Sequence, residues 1–500
     1  VGGGSRAALT AQVRPAQVPL SFAQQRMWFL NRFDTASAVN NVPVAITLTG
    51  KLDVSGLEQA VSDVIGRHEV LRTVYPEVDG VGYQKILSAG DVSIDLGAER
   101  VTDDRIQAEL YSFFAQGFDV TVEVPLRAKL FQVADDDFVL SFVMHHISTD
   151  GFSMGPLTRD VMTAYYARTN GQAPTWTPLP VQYADYSLWQ REVLGSEDDP
   201  QSVIAQQIAF WSDALADLPE QLDLPGDRPR PEIASGRGAN HSFTIEPQLW
   251  SELDELAKAT NATPFMVVHS ALAVLLARLS ATTDIAIGAP IAGRGEAELD
   301  DVIGMFVNTL VLRTEVDPSM SFAELLASAR EVDLQAFAHA DVPFERIVEA
   351  LDPVRSQARH PLFQVALTFQ NLGQTSLDMP GLSAAAVEFD AALAKFDLQL
   401  TLEEAEAGMS ATLTYATDLF DESTAVDFAD RFLHVLRGVT ADPNLAVGDV
   451  DVLTVGELDR VLSWSGVGTD GGVDSTLSAW FDDAAARFGD RVAVRFGDES

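Results

Sequence analysis

The residues best suited to chemistry stand together in Met144-His145-His146-Ile147-Ser148-Thr149-Asp150-Gly151. An imidazole accepts or positions a proton near neutral pH, a carboxylate fixes local geometry, and a glycine lets a substrate approach the backbone. These are the parts of an acyl-transfer site. Two histidines and an aspartate that end a strand also satisfy one another's hydrogen bonds, and spacing alone does not separate that structural reading from a catalytic one. Neighbouring residues of an extended strand project to opposite faces, so His145 and His146 do not meet one ion, and no metal is expected. The chain has no glycine-rich loop ending in Gly-Lys-Ser or Gly-Lys-Thr, so nothing supports a phosphate cradle of that kind.

Positioning these groups requires a strand that ends at His145. Phe138 to Met144 is short, apolar and rich in β-branched or aromatic residues, which predicts a buried strand. Upstream, Leu57, Val61, Val64 and Ile65 recur at helical spacing after Asp53 or Ser55, either of which suits an N-cap. Helices are also expected over Val203 to Leu218, Pro264 to Leu279 and Phe322 to Phe337, and strands over Asp284 to Ile287 and Thr309 to Leu312. The shift to Asn, Gly, Pro and Thr over Tyr165 to Pro180, and the run from Pro225 to Pro231, mark breaks. The two halves read alike in style, but their sequence identity is too weak to define a repeat.

The 500 residues exceed one ordinary domain and give each of two or three units a real core. Acidic residues number 73 against 33 basic ones, and the formal net charge of −40 repels phosphate backbones and anionic lipids. Neither nucleic acid nor membrane is an expected partner. The most apolar stretch, Pro264 to Leu279, is interrupted by His269 and Arg278 and is shorter than the ~20 residues of a bilayer span. The first residues lack the basic and then apolar pattern of a secretory signal, and without cysteine there is no disulfide framework or thiolate site. A cytoplasmic setting fits best.

Seven segments in order carry a family resemblance: Ser21–Leu30, Arg67–Thr73, the His145–Gly151 motif, Tyr183–Trp189, Ile303–Leu310, Asp341–Glu345 and Arg359–Phe363. The central one matches HHxxxDG, the signature of condensation domains of nonribosomal peptide synthetases, and the similarity continues to about residue 455. The resemblance implies an α/β (α+β) fold of two chloramphenicol acetyltransferase-like lobes, a V-shaped pseudo-dimer with the histidine motif at the centre of a tunnel. The expected organisation is a linker over 1–18, an N-terminal lobe over 19–190, a C-terminal lobe over 191–455 and a linker over 456–474. Residues 475–500 resemble the truncated start of an adenylation domain, too short to adenylate. Gly2-Gly3-Gly4-Ser5 superficially resembles a carrier's phosphopantetheine attachment site, but too few residues follow it for a carrier fold, so it reads as linker.

The resemblance also implies the reaction. An upstream donor carrier domain and a downstream acceptor carrier domain insert 4'-phosphopantetheine arms, and the acceptor amine attacks the donor thioester to form a peptide bond, as in antibiotic or siderophore assembly. The chain itself is expected to bind no cofactor, and the adjoining adenylation domain is a further partner. His146 is the expected catalytic residue and His145 a structural one. Asp150 is expected to support the loop through an ion pair with Arg72 or Arg294, between which the sequence does not choose. Gly151 makes room for the acceptor arm, and Ser153 and Asn308 line the tunnel or are hydrogen-bonded supports. Trp28, Trp189 and Phe344 are expected to pack, and Arg26 and Arg67 to pair with carboxylates. An epimerization domain and a catalytically silent recruitment module share the fold and remain alternatives, whereas a heterocyclization domain lacks the histidine pair. The runs Asp150–Asp160 and Val181–Gly195 resemble the branch that takes a D-configured donor and an L-configured acceptor.

Overall fold

Strand Asp137–His145 is apolar at almost every position because it is the middle strand of a five-stranded sheet and is buried along its length. It pairs antiparallel with Asn41–Gly50 on one side and Leu126–Ala134 on the other, and the sheet is completed by Leu382–Ala386 and Glu99–Arg100. Helix Val54–Arg67 is capped by Asp53, whose carboxylate accepts from the Gly56 N–H at 3.0 Å. Leu57, Val61, Val64 and Ile65 turn inward as their spacing predicts, in one core with Leu157 and Val161 of helix Met154–Thr169. That second helix continues four residues past Tyr165, where the composition begins to change.

The computed structural model describes residues 7–370, 381–387, 392–405, 408–465 and 476–492. Contacts divide the chain into two units, Val1–Val452 and Leu453–Ser500. Within the first, a seven-stranded sheet forms the C-terminal lobe in the order Asn308–Glu315, Asp284–Ile291, Val365–Gln370, Leu398–Ala405, Gly408–Ala416, Arg237–Ile245 and Ala392–Leu393. Val365–Gln370 runs parallel to both its neighbours, and the other pairs are antiparallel. Helices Pro247–Ala259, Pro264–Ser280, Phe322–Ala338 and Glu422–Ala441 contribute to its core. Among the described residues no single helix is long and apolar enough to cross a bilayer; Pro247–Ala259 and Pro264–Ser280 pass such a test only together and are bent by 104°.

The lobe boundary differs from the sequence expectation at 190. Helix Tyr183–Leu194 straddles it, with Trp189 in the N-terminal core and Leu194 in a C-terminal one. Two later stretches also return to the N-terminal lobe. Leu299, Val302, Ile303, Met305 and Phe306 join its core, and Leu382–Ala386 adds a strand beside Asn41–Gly50. Local patterns carry no trace of such returns.

The lead-in is corrected as well. Residues 1–6, with the Gly-Gly-Gly-Ser5 run, lie outside the described residues, but Ala7 to Val18 is not a loose linker. Leu9 is buried, the Trp189 indole N–H donates to Ala7 O at 2.6 Å, and Arg14 pairs with Asp185 at 3.1 Å and with Glu69. One leucine and one arginine make no periodic pattern, so sequence does not reveal the anchoring. Likewise residues 456–465 of the expected linker belong to helix Val455–Ser465, and Leu477–Arg487 is helical; 466–475 and 493–500 lie outside the described residues.

Gly50 holds the returning strand in place. Its φ of +130° belongs almost solely to glycine, and a Cβ there would stand 2.2 Å from Gly381 O. Gly50→Ala is expected to loosen Leu382–Ala386, giving faster limited proteolysis around residue 381 and a lower thermal midpoint; wild-type cleavage would contradict this role.

Candidate active site

The strand register fixes where the histidine pair stands. Asn41 is opposite His145, and the His145 and His146 N–H groups donate to Pro125 O at 3.0 Å and Asn40 O at 2.8 Å. The chain then leaves the sheet through two short 3-10 turns, His146–Ser148 and Gly151–Ser153, and enters helix Met154–Thr169. His145 is buried, accepts from the Ile147 N–H through Nδ1 at 3.2 Å and meets Phe118 edge-on at 6.1 Å. Burial, with a smaller push from His146, lowers its pKa to about 4, so it stays neutral and structural near pH 7.

His146 alone between Ser141 and Asp150 is not fully buried. Burial lowers its pKa and the charge of Lys395 lowers it further, while Asp150 and nearby backbone groups oppose them. The imidazole is therefore a base that is mostly unprotonated at neutral pH. Among the described residues no carboxylate lies within ion-pair distance of its ring, so this is not a relay of the Ser-His-Asp kind.

Asp150 is fully committed elsewhere. Its Oδ1 accepts from the Ser153 N–H and lies 2.8 Å from the Ser153 hydroxyl, and its Oδ2 accepts from the N–H groups of Phe306 and Val307 at 2.8 and 3.1 Å. Arg294 Nη2 stands 3.5 Å from Oδ1 and donates to Ser153 Oγ at 2.9 Å. Arg294 also donates to Val302 O at 2.7 Å and lies over the Phe306 ring at 4.4 Å. Arg72 instead donates to Leu87 O and lies 3.7 Å from Glu69. Of the two arginines that the sequence left open, the structure brings only Arg294 to Asp150.

Ser153 is buried, its hydroxyl lying 2.9 Å from Gly304 O and accepting from the Gly304 N–H at 3.1 Å. It fastens the motif loop to residues 304–307. Asn308 is likewise a hydrogen-bonded support. Its amide donates to Ala340 O and Val342 O at 2.9 and 2.8 Å and its oxygen accepts from the Phe344 N–H at 2.9 Å, while the residue borders a cavity of about 500 Å³ with Arg294 and Phe306. At Gly151 an added Cβ would meet no atom within 4 Å, so the glycine faces open space.

Other residues support the loop without having been singled out for it. Gln24 donates to Ile147 O at 3.2 Å and to the Tyr75 hydroxyl at 3.3 Å, and the Tyr183 hydroxyl donates to Met305 O at 2.7 Å. Burial raises the pKa of both tyrosines, which therefore stay protonated. Gln24 and Tyr183 lie in segments that carry the family resemblance, which was the available signal; nothing in the sequence marked Lys395. Arg26 pairs with Glu345 at 3.6 Å and Arg67 with Asp160 at 2.8 Å, and Trp28, Trp189 and Phe344 are buried. Among the described residues no cluster of three or more His, Cys, Asp or Glu side chains is arranged to hold a metal.

The family pattern described as the condensation domain matches residues 15–461. The chain belongs to the condensation-domain family. The chain is similar to the probable non-canonical nonribosomal peptide synthetase CymA of Salinispora arenicola (strain CNS-205), 46% identical over 496 residues, 99% of this chain and 6% of CymA. The dimodular nonribosomal peptide synthase of Bacillus subtilis (strain 168) is 44% identical over 494 residues, 97% of this chain and 21% of that protein. The chain thus spans a small part of these multidomain relatives. The solved X-domain of teicoplanin biosynthesis, in complex with OxyB, superposes with a TM-score of 0.82 at 35% identity, covering 91% of this chain and all of that one. The expected two-lobed, chloramphenicol acetyltransferase-like α/β fold stands.

The clasp and the base have separable effects. Asp150→Ala leaves the backbone N–H groups of Ser153, Phe306 and Val307 buried without their acceptor and removes the counter-charge of Arg294, and is expected to cost about 3 to 5 kcal/mol in denaturant unfolding. His146→Ala is expected to change stability by less than about 1 kcal/mol, since the residue is only partly buried and its Nδ1 has no hydrogen-bond partner among the described residues to lose. Equal losses would contradict the separation.

Proposed function

We propose that this condensation domain joins a donor aminoacyl or peptidyl thioester to the amine of an acceptor aminoacyl thioester, both delivered on 4'-phosphopantetheine arms by carrier domains upstream and downstream. The observation that carries this reading is His146, a neutral, solvent-reachable base at the end of a rigid strand in a loop held by five polar contacts to Asp150.

Condensation needs alignment of the amine, support for the oxyanion and management of one proton. An α-amine titrates near ~7.7 to 8.0, so part of it is already neutral at pH 7 and removal of a proton before attack is not obligatory. His146 then accepts the proton as the carbon–nitrogen bond forms, and the donor thiolate leaves. Gly151 leaves space for the acceptor arm beside it. The proposed donor is D-configured and the acceptor L-configured. Residues 475–500, read as the first part of an adenylation domain, do not adenylate by themselves.

A specific observation keeps a second reading in view. The X-domain neighbour was solved in complex with OxyB, so a chain of this fold also binds a protein partner. On that reading His146 has no turnover to lose.

The test is a condensation assay with both carriers loaded. The expected result is product from D-configured donors, with His146→Ala slowed by ~100 to 10,000-fold if base catalysis limits the rate. Full activity in His146→Ala would remove its assigned role, preference for L-configured donors would remove the branch assignment, and no turnover by wild type would favour recruitment. Because the His146 pKa is lowered, the acid limb of the rate profile is expected below pH 6.5, with activity lost as pH falls through it.

A further inference from the structure

Asp150 fixes the motif loop beyond the base, whereas the carbonyl next to the base is held from another direction. Ile147 O accepts from Gln24 Nε2 at 3.2 Å, and the second proton of the same amide goes to the Tyr75 hydroxyl at 3.3 Å. Gln24 stands in the first turn of helix Phe22–Phe33, where it closes a capping box. The Ser21 hydroxyl accepts from the Gln24 N–H and Gln24 Oε1 accepts from the Ser21 N–H, both at 3.1 Å. That second bond fixes which way round the amide lies, with its oxygen on Ser21 and its nitrogen toward the loop. A capping box needs only the oxygen, and glutamate serves it equally. The nitrogen of this buried amide has both its protons spent outside the cap.

The cap also reaches the segment on the other side of the loop. The Ser21 hydroxyl lies 2.9 Å from the Tyr183 hydroxyl, which donates to Met305 O at 2.7 Å. Because the Tyr183 proton is spent on Met305, the Ser21 proton goes to Tyr183, and the bonds run in one direction. Met305 precedes Phe306, whose N–H donates to Asp150. The Tyr183 ring lies so close to Gly304 that a Cβ there would stand 2.0 Å from it. Ser21, Gln24, Tyr75, Ile147 and Tyr183 are all buried, so a bond lost from this chain leaves a polar group without water to replace it. The cap thus joins the carbonyl beside His146 to the stretch that clasps Asp150, through neutral groups only.

An imidazole accepts a proton along the lone pair in its ring plane, so a tilt of the turn that carries it misdirects the base even when the ring stays neutral and accessible. Ile147 O belongs to the turn His146–Ser148, and the amide that holds this carbonyl restrains that tilt. Resting on the condensation reading, we propose that Gln24 is a positioning residue of the reaction: its amide holds Ile147 O and thereby keeps the His146 ring aimed at the acceptor amine.

The test compares Gln24→Met, Gln24→Glu and Trp28→Phe with wild type on loaded carriers. Gln24→Met removes both donors and is expected to lower kcat by about 10- to 100-fold with KM little changed, the effect of a base displaced by about 1 Å. Trp28→Phe loosens the same helix, because the indole N–H donates to Tyr75 O at 2.8 Å, but leaves Ile147 O its donor and should keep kcat within twofold. Gln24→Glu keeps the cap and makes the link to the loop depend on a proton. The groups facing this side chain are uncharged, namely Ser21, Ile147 O and Tyr75, whose pKa burial raises. Burial also raises the pKa of a carboxyl placed there. Protonated, it donates to Ile147 O in place of the amide; ionised, it sets an oxygen against that carbonyl. Its kcat should therefore fall as pH rises through that pKa, a basic limb absent from wild type, while circular dichroism shows a folded protein on both sides of the limb. A kcat within twofold of wild type in Gln24→Met, an equal loss in Trp28→Phe, or a loss through KM alone overturns the proposal. If Gln24→Met fails to fold, the Gln24→Glu profile decides: the basic limb supports the proposal and a profile that copies wild type overturns it. An inactive wild type overturns the condensation reading and this proposal with it, whereas an active wild type with unaffected Gln24 variants overturns this proposal alone.

Discussion

The site depends on a single carboxylate. Asp150 lies in a turn of the N-terminal lobe, yet half of its acceptor capacity is spent on the backbone N–H groups of Phe306 and Val307, more than 150 residues later in the chain. The other half holds Ser153, and through it Gly304, while Arg294 closes the arrangement from the same later segment. Several charge-assisted hydrogen bonds to one buried group define a position far more narrowly than apolar contact does. The motif loop is thereby fixed to both parts of the fold at once. His146, four residues before Asp150, inherits that rigidity without being held by the carboxylate.

This arrangement explains why two stretches from the second half of the chain complete the first lobe. Residues 299–306 bring the donors that Asp150 needs, and their apolar side chains pack where Tyr183 and Tyr186 present rings to Phe306 at 5.0 and 4.9 Å. Strand Leu382–Ala386 covers the outer edge of Asn41–Gly50, the strand whose register places His145. An exposed edge there would leave a row of unpaired backbone groups.

Much of the local structure was legible because one-dimensional periodicity reports burial directly. The inward face of Val54–Arg67, the buried run of Asp137–His145 and the opposite projection of the two histidines all follow from spacing. The family resemblance, carried by seven separated segments, supplied the site. What stayed hidden was long-range pairing. Arg72 and Arg294 are equivalent as sequence, and only the fold shows one spent on Leu87 and Glu69 and the other beside Asp150. The anchoring of Ala7 to Val18 escaped notice because Leu9 and Arg14 make isolated contacts.

The two lobes repeat an order of elements without repeating the chemistry. In each, a strand is followed by a helix, Asn41–Gly50 then Val54–Arg67, and Arg237–Ile245 then Pro247–Ala259. Each later has an antiparallel strand pair that leads into a helix, Asp137–His145 into Met154–Thr169 and Asn308–Glu315 into Phe322–Ala338. At the first junction stand His145, His146 and Asp150. At the second, Asp317 only closes an exposed turn on the Ser319 N–H at 2.8 Å, and no histidine is present. A symmetric pair would place two equivalent bases where one proton moves, whereas the asymmetric pair divides the work. The first junction carries the base, and a stretch from the second half of the chain, Arg294 to Val307, carries the donors that fix its loop.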